Sequence, residues 1–190
     1  MHSKIWKLIA CFTIVQICLY ACCTDINHIF INTVDFTVRD IGDTDISSVA
    51  NEDFSLLVKI DYERETVASL TKKSGLINMA YATSCDDEFI ITKRVTNIEL
   101  FADVPLSGID AGNPLNDHVL VGYGFVSNSD GFTITDMIAA LNYEQTNRSE
   151  EYYLTFDSLI SAGTSVNFNI VFTFENGEQL ERAATTVTFE

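Results

Sequence analysis

The fold of this chain is decided by the stretch Val166-Asn167-Phe168-Asn169-Ile170-Val171-Phe172-Thr173-Phe174-Glu175-Asn176-Gly177. Apolar side chains occupy its even positions, an alternation that is typical of a strand with one buried face. Asn176-Gly177 is the preferred pair for a two-residue type I′ turn, because both central residues of that turn have positive φ. We therefore predict a β-hairpin at the carboxyl end. A two-residue turn gives the pairs Ile170–Ala183, Phe168–Thr185 and Val166–Val187.

The same period of two recurs toward the amino end. Residues 54–62 alternate most regularly, with Leu56, Val58 and Ile60 on one face and polar residues, Ser55 among them, on the other. Residues 30–38 place Phe30, Val34, Phe36 and Val38 on one face of a second strand. Weaker alternation and short apolar runs predict further strands at 76–81, 89–92, 98–102 and 118–125.

One segment has a helical period instead. Thr133 is a good N-cap, and the acid Asp136 follows it three residues on, as in a capping box. Ile134, Met137, Ile138 and Leu141 then recur at helical spacing. We predict one short helix from about 134 to 143.

Many strands, one helix and no alternation of strand with helix indicate an all-β protein. We expect an antiparallel β-sandwich of immunoglobulin-like topology, with a closed barrel as the alternative. Residues 29–190 would form it as a single domain. The chain has 190 residues, 47% of them hydrophobic, which is enough for one sizeable core.

The first 21 residues differ from the rest. Lys4 and Lys7 precede an apolar run from Leu8 to Leu19, which is the pattern of a secretory signal. The run ends at Leu19-Tyr20-Ala21-Cys22, similar to the lipobox of bacterial lipoproteins, in which the cysteine is acylated. We expect residues 1–21 to be removed, Cys22 to carry the lipid and residues 22–28 to form a short tether. An ordinary secretory peptide and an uncleaved membrane helix are the alternatives, but the run is short for a membrane span.

Six features together extend this likeness. They are the lipobox, an early strand, Ala80-Tyr81-Ala82-Thr83-Ser84-Cys85, the segment 133–142, the aromatic run 152–156 and the terminal Asn-Gly hairpin. Together they resemble small lipoproteins of Bacteroidetes bacteria for which no activity is established. The resemblance implies a lipid-anchored protein of the cell envelope, at the outer membrane and facing the periplasm or the cell surface. Asp157-Ser158-Leu159 also resembles an O-glycosylation site of some Bacteroidetes proteins, on Ser158.

Two of the five cysteines remain for other roles once the leader and Cys22 are set aside. Cys23 and Cys85 could form a disulfide in an oxidising compartment. Alternatively, Cys85 is a free thiol whose acidic neighbours Asp86 and Asp87 disfavour the thiolate. We do not interpret it as a nucleophile.

Charge limits the partners. The chain has 27 acidic and 11 basic residues, a net charge of -16, and loss of Lys4 and Lys7 with the leader would bring it to -18. Such a polyanion gains nothing from phosphate contacts, so nucleic acid is excluded as a natural partner. The membrane is expected as a partner through the lipid anchor alone, with an unknown protein or glycan bound by the domain.

No catalytic motif is evident. His28 and His118 have no other ligand or base at short spacing, and no nucleophile elbow is present. The Asx-rich segments 40–45 and 128–131 could hold calcium, but such turns need no metal. The only Trp, Trp6, lies in the leader, so sugar stacking would depend on tyrosines. These are Tyr62, Tyr81, Tyr123, Tyr143, Tyr152 and Tyr153.

We therefore expect a non-enzymatic binding or structural module without a cofactor or metal. A cell-envelope hydrolase with a dispersed active site is the alternative, as is a calcium- or carbohydrate-binding domain. Of the two adjacent tyrosines Tyr152 and Tyr153, one must face outward if they lie in a strand.

Overall fold

A computed structural model describes residues 26–40, 42, 44, 46–50, 53–68, 88–106, 108–124, 131–143, 150–157 and 160–190, with the backbone alone at 67, 68 and 88. This part of the chain contains eleven strands and one α-helix. The strands are β1 (Ile26–Arg39), β2 (Ser48–Val49), β3 (Ser55–Ala68), β4 (Glu88–Ile91), β5 (Val95–Ala102), β6 (Val119–Gly122), β7 (Glu150–Phe156), β8 (Ser165–Val166), β9 (Phe168–Phe174), β10 (Gln179–Ala183) and β11 (Val187–Phe189). The helix α1 spans Ile134–Leu141, and a 3-10 turn spans Asn116–His118.

The strands form three sheets. Their orders are β4-β1-β3-β7-β6, β10-β9-β5 and β2-β11-β8. The pairs β3–β7, β6–β7, β5–β9 and β9–β10 are antiparallel, whereas the short pair β2–β11 is parallel. The predicted all-β class with one short helix is confirmed. The predicted strand at 76–81 lies outside the described residues.

The chain divides into two compact units, residues 1–28 with 64–90 and residues 29–63 with 91–190. In the described part of the first unit, the buried side chain of Asn27 accepts hydrogen bonds at Oδ1 from Arg64 Nε at 2.7 Å and from Thr66 Oγ1 at 2.9 Å. The Arg64 guanidinium also lies over the Phe89 ring, 5.3 Å from its centroid. The hairpin, the helix and the candidate sites described below lie in the second unit.

The carboxyl-terminal hairpin exists, but its predicted register is wrong by one residue along β9 and β10. Arg182, not Ala183, lies opposite Ile170, and Ala184 N donates to Phe168 O at 2.9 Å, in place of the predicted Phe168–Thr185 pair. The reason is the turn. Gly177 N donates to Phe174 O, and Phe174 N donates to Glu178 O, both at 2.9 Å, so the loop has three residues.

A three-residue loop is built from a type I turn followed by a residue in the left-handed region. Gly177, at φ 81°, is that residue. The irregular segment after Ala183 restores the predicted pairing further on, where Val187 lies opposite Val166 in the β8–β11 pair.

The amino-terminal strands follow their predicted alternation with two differences. In β1, burial changes phase at Asn32-Thr33: Ile29 and Ile31 are buried before it, and Val34, Phe36 and Val38 after it. Phe30 is only half-buried, so the predicted buried face is confirmed for Val34, Phe36 and Val38 alone. In β3, Leu56, Val58 and Ile60 are buried as predicted, but Ser55 on the opposite face is buried as well.

The predicted helix is confirmed with its cap. Asp136 N donates to Thr133 Oγ1 at 3.2 Å, and Thr133 N donates to Asp136 Oδ2 at 3.0 Å. These two bonds satisfy backbone donors that have no partner within the helix. Ile134, Met137 and Leu141 are buried, so the apolar face packs into the core.

Four phenylalanines join the three sheets. Phe54 precedes β3, Phe156 ends β7, Phe168 begins β9 and Phe189 ends β11. The Phe54 ring centroid lies 6.0 Å from that of Phe156, 5.6 Å from that of Phe168 and 4.9 Å from that of Phe189. All four rings are buried, so their packing fixes these strands relative to one another.

Two asparagine side chains cover the free edge of β5. Asn116 Oδ1 accepts from Leu100 N at 3.0 Å while its Nδ2 donates to Ile98 O at 2.7 Å. Asn142 contacts Val95 in the same way, accepting from its N at 2.9 Å and donating to its O at 2.7 Å. Each amide thus takes the place of a neighbouring strand, which protects the edge from pairing with another chain.

Replacing Asn116 by alanine should lower the free energy of unfolding by about 1–3 kcal/mol, because two backbone groups of β5 lose their partner. Urea denaturation measures the change. Asn113→Ala, at an exposed position in the same connection, is the matched control and should have little effect. Equal losses for the two variants would contradict this role of Asn116.

Candidate functional site

An aromatic cluster lies in the large sheet where β6 ends and β7 begins, beside the middle of β3. In β7, Glu150, Tyr152 and Leu154 lie on the same face, which is the core-facing side. The β6–β7 register pairs Val121 with Leu154, and one more step along the same face brings Tyr123 opposite Tyr152. The β3–β7 register pairs Ile60 with Glu150, which places Tyr62 diagonally beside that carboxylate.

The rings of Tyr123, Phe132 and Tyr152 contact one another. The Tyr123 centroid lies 5.2 Å from that of Phe132 and 5.5 Å from that of Tyr152. Tyr152 is 1% exposed, whereas Tyr123 is 71% exposed. A two-bond bridge between Phe132 and Val121 fixes the Phe132 backbone, with both bonds at 2.9 Å. The Tyr123 ring therefore packs on one side against Phe132 and Tyr152, while much of it faces solvent.

Glu150 accepts from both neighbouring phenols. Its Oε2 receives the Tyr152 hydroxyl at 2.6 Å and the Tyr62 hydroxyl at 3.5 Å. Burial, reinforced by the Glu150 carboxylate, raises the pKa of Tyr62 far above its ordinary value. Burial, then the hydrogen bond to Glu150 and its charge, raises the pKa of Tyr152 in the same way. Both phenols are protonated at neutral pH, because burial, and then the neighbouring Glu150 charge, disfavour the phenolate.

We call Tyr123, Phe132, Tyr152, Glu150 and Tyr62 the aromatic platform. Its protonated phenols serve as hydrogen-bond donors and not as nucleophiles or bases. An exposed ring with a rigid aromatic backing suits recognition by stacking. The adjacent carboxylate supplies a polar acceptor.

The sequence interpretation named several of these residues without bringing them together. Tyr152 is buried and Tyr153 is partly exposed, which confirms that one of the pair faces outward. The contact of Glu150 with Tyr62 was not predicted, because 88 residues separate them in the sequence, and Phe132 was not named. The strand order β3-β7-β6 is what brings them together. Tyr143 is exposed and lies outside the platform, and Tyr81 is outside the described residues.

His118 has an acidic partner that its sequence neighbours did not suggest. Its Nδ1 lies 3.2 Å from Asp157 Oδ1, and Asp157 N donates to His118 O at 3.0 Å. This pair extends the β6–β7 register by one residue beyond Val119–Phe156, at the opposite end of β7 from Tyr152. Both side chains are partly exposed, at 34% and 46%, so the pair is a solvent-facing contact.

The predicted calcium segments are described only in part. Asp40 Oδ1 accepts from Gly42 N at 3.0 Å and from Thr44 N and Thr44 Oγ1 at 2.8 Å each. These bonds, chiefly those from Thr44, lower the pKa of Asp40 and use its carboxylate without a metal. Among the described residues, no group of three or more His, Cys, Asp or Glu side chains is arranged to hold a metal ion.

The remaining predicted positions lie outside the described residues. They are Cys22, Cys23, Cys85 and Ser158. The lipidation, the disulfide and the glycosylation therefore stay predictions. Within the described ranges, no helix is long and apolar enough to cross a membrane.

Comparisons with known proteins add little. No protein-family model matches the sequence, and no curated protein is similar to it. Among solved structures, the major pilin subunit BcpA of Bacillus cereus, as its D312A variant, is similar at 11% identity and a TM-score of 0.23. The match covers 88% of this chain and 69% of the pilin chain. A TM-score this low supports no inference about this chain.

The phenols of the platform should make stability depend on alkaline pH. Above about pH 10 an unfolded tyrosine releases its proton. The folded chain retains the protons of Tyr62 and Tyr152, so the free energy of unfolding falls as pH rises. The double variant Tyr62→Phe/Tyr152→Phe should be less stable at neutral pH and lose stability less steeply above about pH 10. Chemical denaturation across this range measures both effects, with Tyr143→Phe as the control for loss of a phenol. Equal alkaline slopes for the wild type and the double variant would contradict the assignment.

Proposed function

We propose that this chain is an exported, lipid-anchored, non-enzymatic binding module that holds a neutral glycan on the aromatic platform. The observation that carries the proposal is the Tyr123 ring. It is 71% exposed, yet two other rings support it from behind. A large exposed aromatic side chain with such support is well suited to ligand binding, because little conformational entropy is lost when the ligand binds.

The chemistry of the platform favours a sugar. A pyranose ring has an apolar C–H face that stacks on an aromatic ring and a rim of hydroxyls that donate hydrogen bonds. Tyr123 supplies the ring, and the Glu150 carboxylate is an acceptor in the same cluster. The net charge of -16 repels anionic sugars, so we expect the bound glycan to be neutral.

The alternative, a cell-envelope hydrolase, has the His118–Asp157 pair as its support. A catalytic pair gains strength from a site that excludes water. Both of these side chains are partly exposed, and they lie at the opposite end of β7 from Tyr152. A binding module accounts for the platform without requiring a catalytic role for either residue.

Lipid anchoring would hold the domain near the membrane. Cys22 is separated from the first residue of β1, Ile26, by only three residues. Fully extended, that segment reaches about 15 Å at most. The amino end of β1 would therefore lie close to the bilayer surface.

The glycan proposal is tested by screening the mature protein against an array of neutral glycans and measuring the best one by calorimetry. Tyr123→Ala should weaken binding at least tenfold, about 1.4 kcal/mol, because it removes the stacking surface. Tyr143→Ala, which removes another exposed tyrosine, is the matched control and should bind as the wild type does. Absence of glycan binding, or equal losses in the two variants, would refute the proposal.

Processing is tested separately by mass spectrometry of protein purified from membranes. The expected N-terminal residue is an acylated Cys22, with residues 1–21 absent, because a charged segment and an apolar run precede Leu19-Tyr20-Ala21-Cys22. Cys22→Ala should abolish the lipid modification, and Cys23→Ala should leave it in place. An intact leader or an unmodified amino terminus would contradict lipid anchoring.

A further inference from the structure

A groove of about 480 Å³ lies between β1 and β10, away from the aromatic platform. We call it the β1–β10 groove. Its walls combine apolar rings and chains with amides and one ion pair. The lining residues are Phe30, Ile31, Asn32, Lys93, Phe174, Glu178, Gln179 and Leu180. Lys93 Nζ contacts Glu178 Oε2 at 2.7 Å and lies 6.0 Å from the Phe30 ring centroid.

The two strands that border the groove run in the same direction. Residues 30–32 of β1 share the groove with 178–180, and further along Arg182 Nε donates to Val34 O at 3.1 Å. An arginine side chain, and not a backbone hydrogen bond, connects the strands at that point. Among the described residues, β1 and β10 belong to different sheets and are not paired with each other.

Among the described residues, the backbone groups on the outer edge of β10 have no strand partner. Glu178 O and Ala184 N bond to β9. Because backbone groups alternate along an antiparallel strand, those of Leu180 and Arg182 also point to β9, and those of Gln179, Glu181 and Ala183 point away. In the part of the chain that the structure describes, β10 forms a ladder with β9 alone.

The opposite edge of the same sheet is treated differently. There, Asn116 and Asn142 occupy the backbone groups of β5. One edge is thus closed by side-chain amides, and the other borders a groove with an apolar wall. This asymmetry marks β10 as the edge at which a strand can be added.

We propose that the β1–β10 groove binds a single extended peptide strand of alternating apolar and basic residues, paired antiparallel to the free edge of β10. Antiparallel pairs are the commoner kind, and this direction is antiparallel to β1 as well. The site is separate from the aromatic platform and does not depend on the glycan proposal.

The occupant's chemistry follows from the walls. Phe30, Phe174 and Leu180 offer an apolar surface to every second side chain of the peptide. Glu181 is exposed on the opposite face of β10, and the chain carries a net charge of -16, so basic residues are favoured at the alternate positions. The groove has β1 on its far side, so a single strand enters it more easily than the edge of a second folded copy.

The test uses the mature full-length protein and a short, capped, fluorescent peptide of alternating lysine and valine, with binding measured by anisotropy. A peptide with N-methyl groups on the residues whose N–H faces β10 keeps its charge and apolar surface but loses the donors. We expect its affinity to fall at least tenfold. The affinity of a peptide with glutamate in place of lysine should also fall at least tenfold.

On the protein, Glu181→Pro removes a backbone donor that points away from β9, and Glu181→Ala removes the same charge but keeps the donor. Proline should weaken binding at least tenfold more than alanine. Leu180→Ala, which trims the apolar wall, should weaken it severalfold without altering the backbone. Circular dichroism establishes that each variant is folded.

Three outcomes would overturn the proposal. One is the absence of binding to the lysine–valine peptide. The second is equal binding of the plain and N-methylated peptides, which would indicate attraction of charge alone. The third is a dimer in sedimentation velocity that Glu181→Pro dissociates, which would make a second copy the occupant.

Discussion

The packing of Phe54, Phe156, Phe168 and Phe189 is the contact on which the rest of the structure depends. Full burial of each ring contributes about 1.5–3 kcal/mol, and favourable ring pairs add about 0.5–1.5 kcal/mol each. Because the four rings come from or adjoin strands of three different sheets, they fix the strands as well as filling space. Phe156 fixes β7, whose first residues belong to the aromatic platform, and Phe168 fixes β9, to which β10 is paired.

The two outer strands of the β10-β9-β5 sheet differ in how their exposed edges are protected from pairing. A strand edge presents unpaired backbone groups, and any exposed edge can recruit another chain. At β5 the protein satisfies them with asparagine amides, which carry one donor and one acceptor in the geometry of a peptide group. At β10 the charges of Glu181 and Arg182 discourage pairing with an apolar edge but still permit a partner of complementary charge.

Much of the fold could be predicted from the sequence because local patterns determine it. The alternation in 54–62 and 166–174 follows from burial of one strand face, and the cap at Thr133 follows from backbone donors at a helix start. The local sequence did not determine the hairpin register in the same way. Asn176-Gly177 fits both a two-residue turn and the last two positions of a three-residue turn, and the two differ by one residue in register. The phase change of β1 at Asn32-Thr33 has no local signal either, because polar residues there suit either face.

The platform could not be predicted because it depends on strand order. Tyr62, Tyr123 and Tyr152 were each visible as tyrosines, but only the order β3-β7-β6 brings them together on one sheet face. Once that order is known, the β3–β7 and β6–β7 registers give the positions of the three tyrosines. The β6–β7 register also places His118 opposite Asp157 at the other end of β7.

Glu150 explains why the platform is rigid. A carboxylate at the end of a core face is costly unless donors compensate for the water it has lost. The hydroxyls of Tyr152 and Tyr62 supply those donors, and burial together with the negative charge keeps both protonated. Rotating either ring away would leave the carboxylate with fewer donors, so the hydrogen bonds that satisfy Glu150 also hold Tyr152 in place. The Tyr123 ring packs against the Tyr152 ring. The Glu150 carboxylate therefore positions the exposed face of Tyr123 indirectly, through Tyr152 and not through a hydrogen bond of its own to Tyr123.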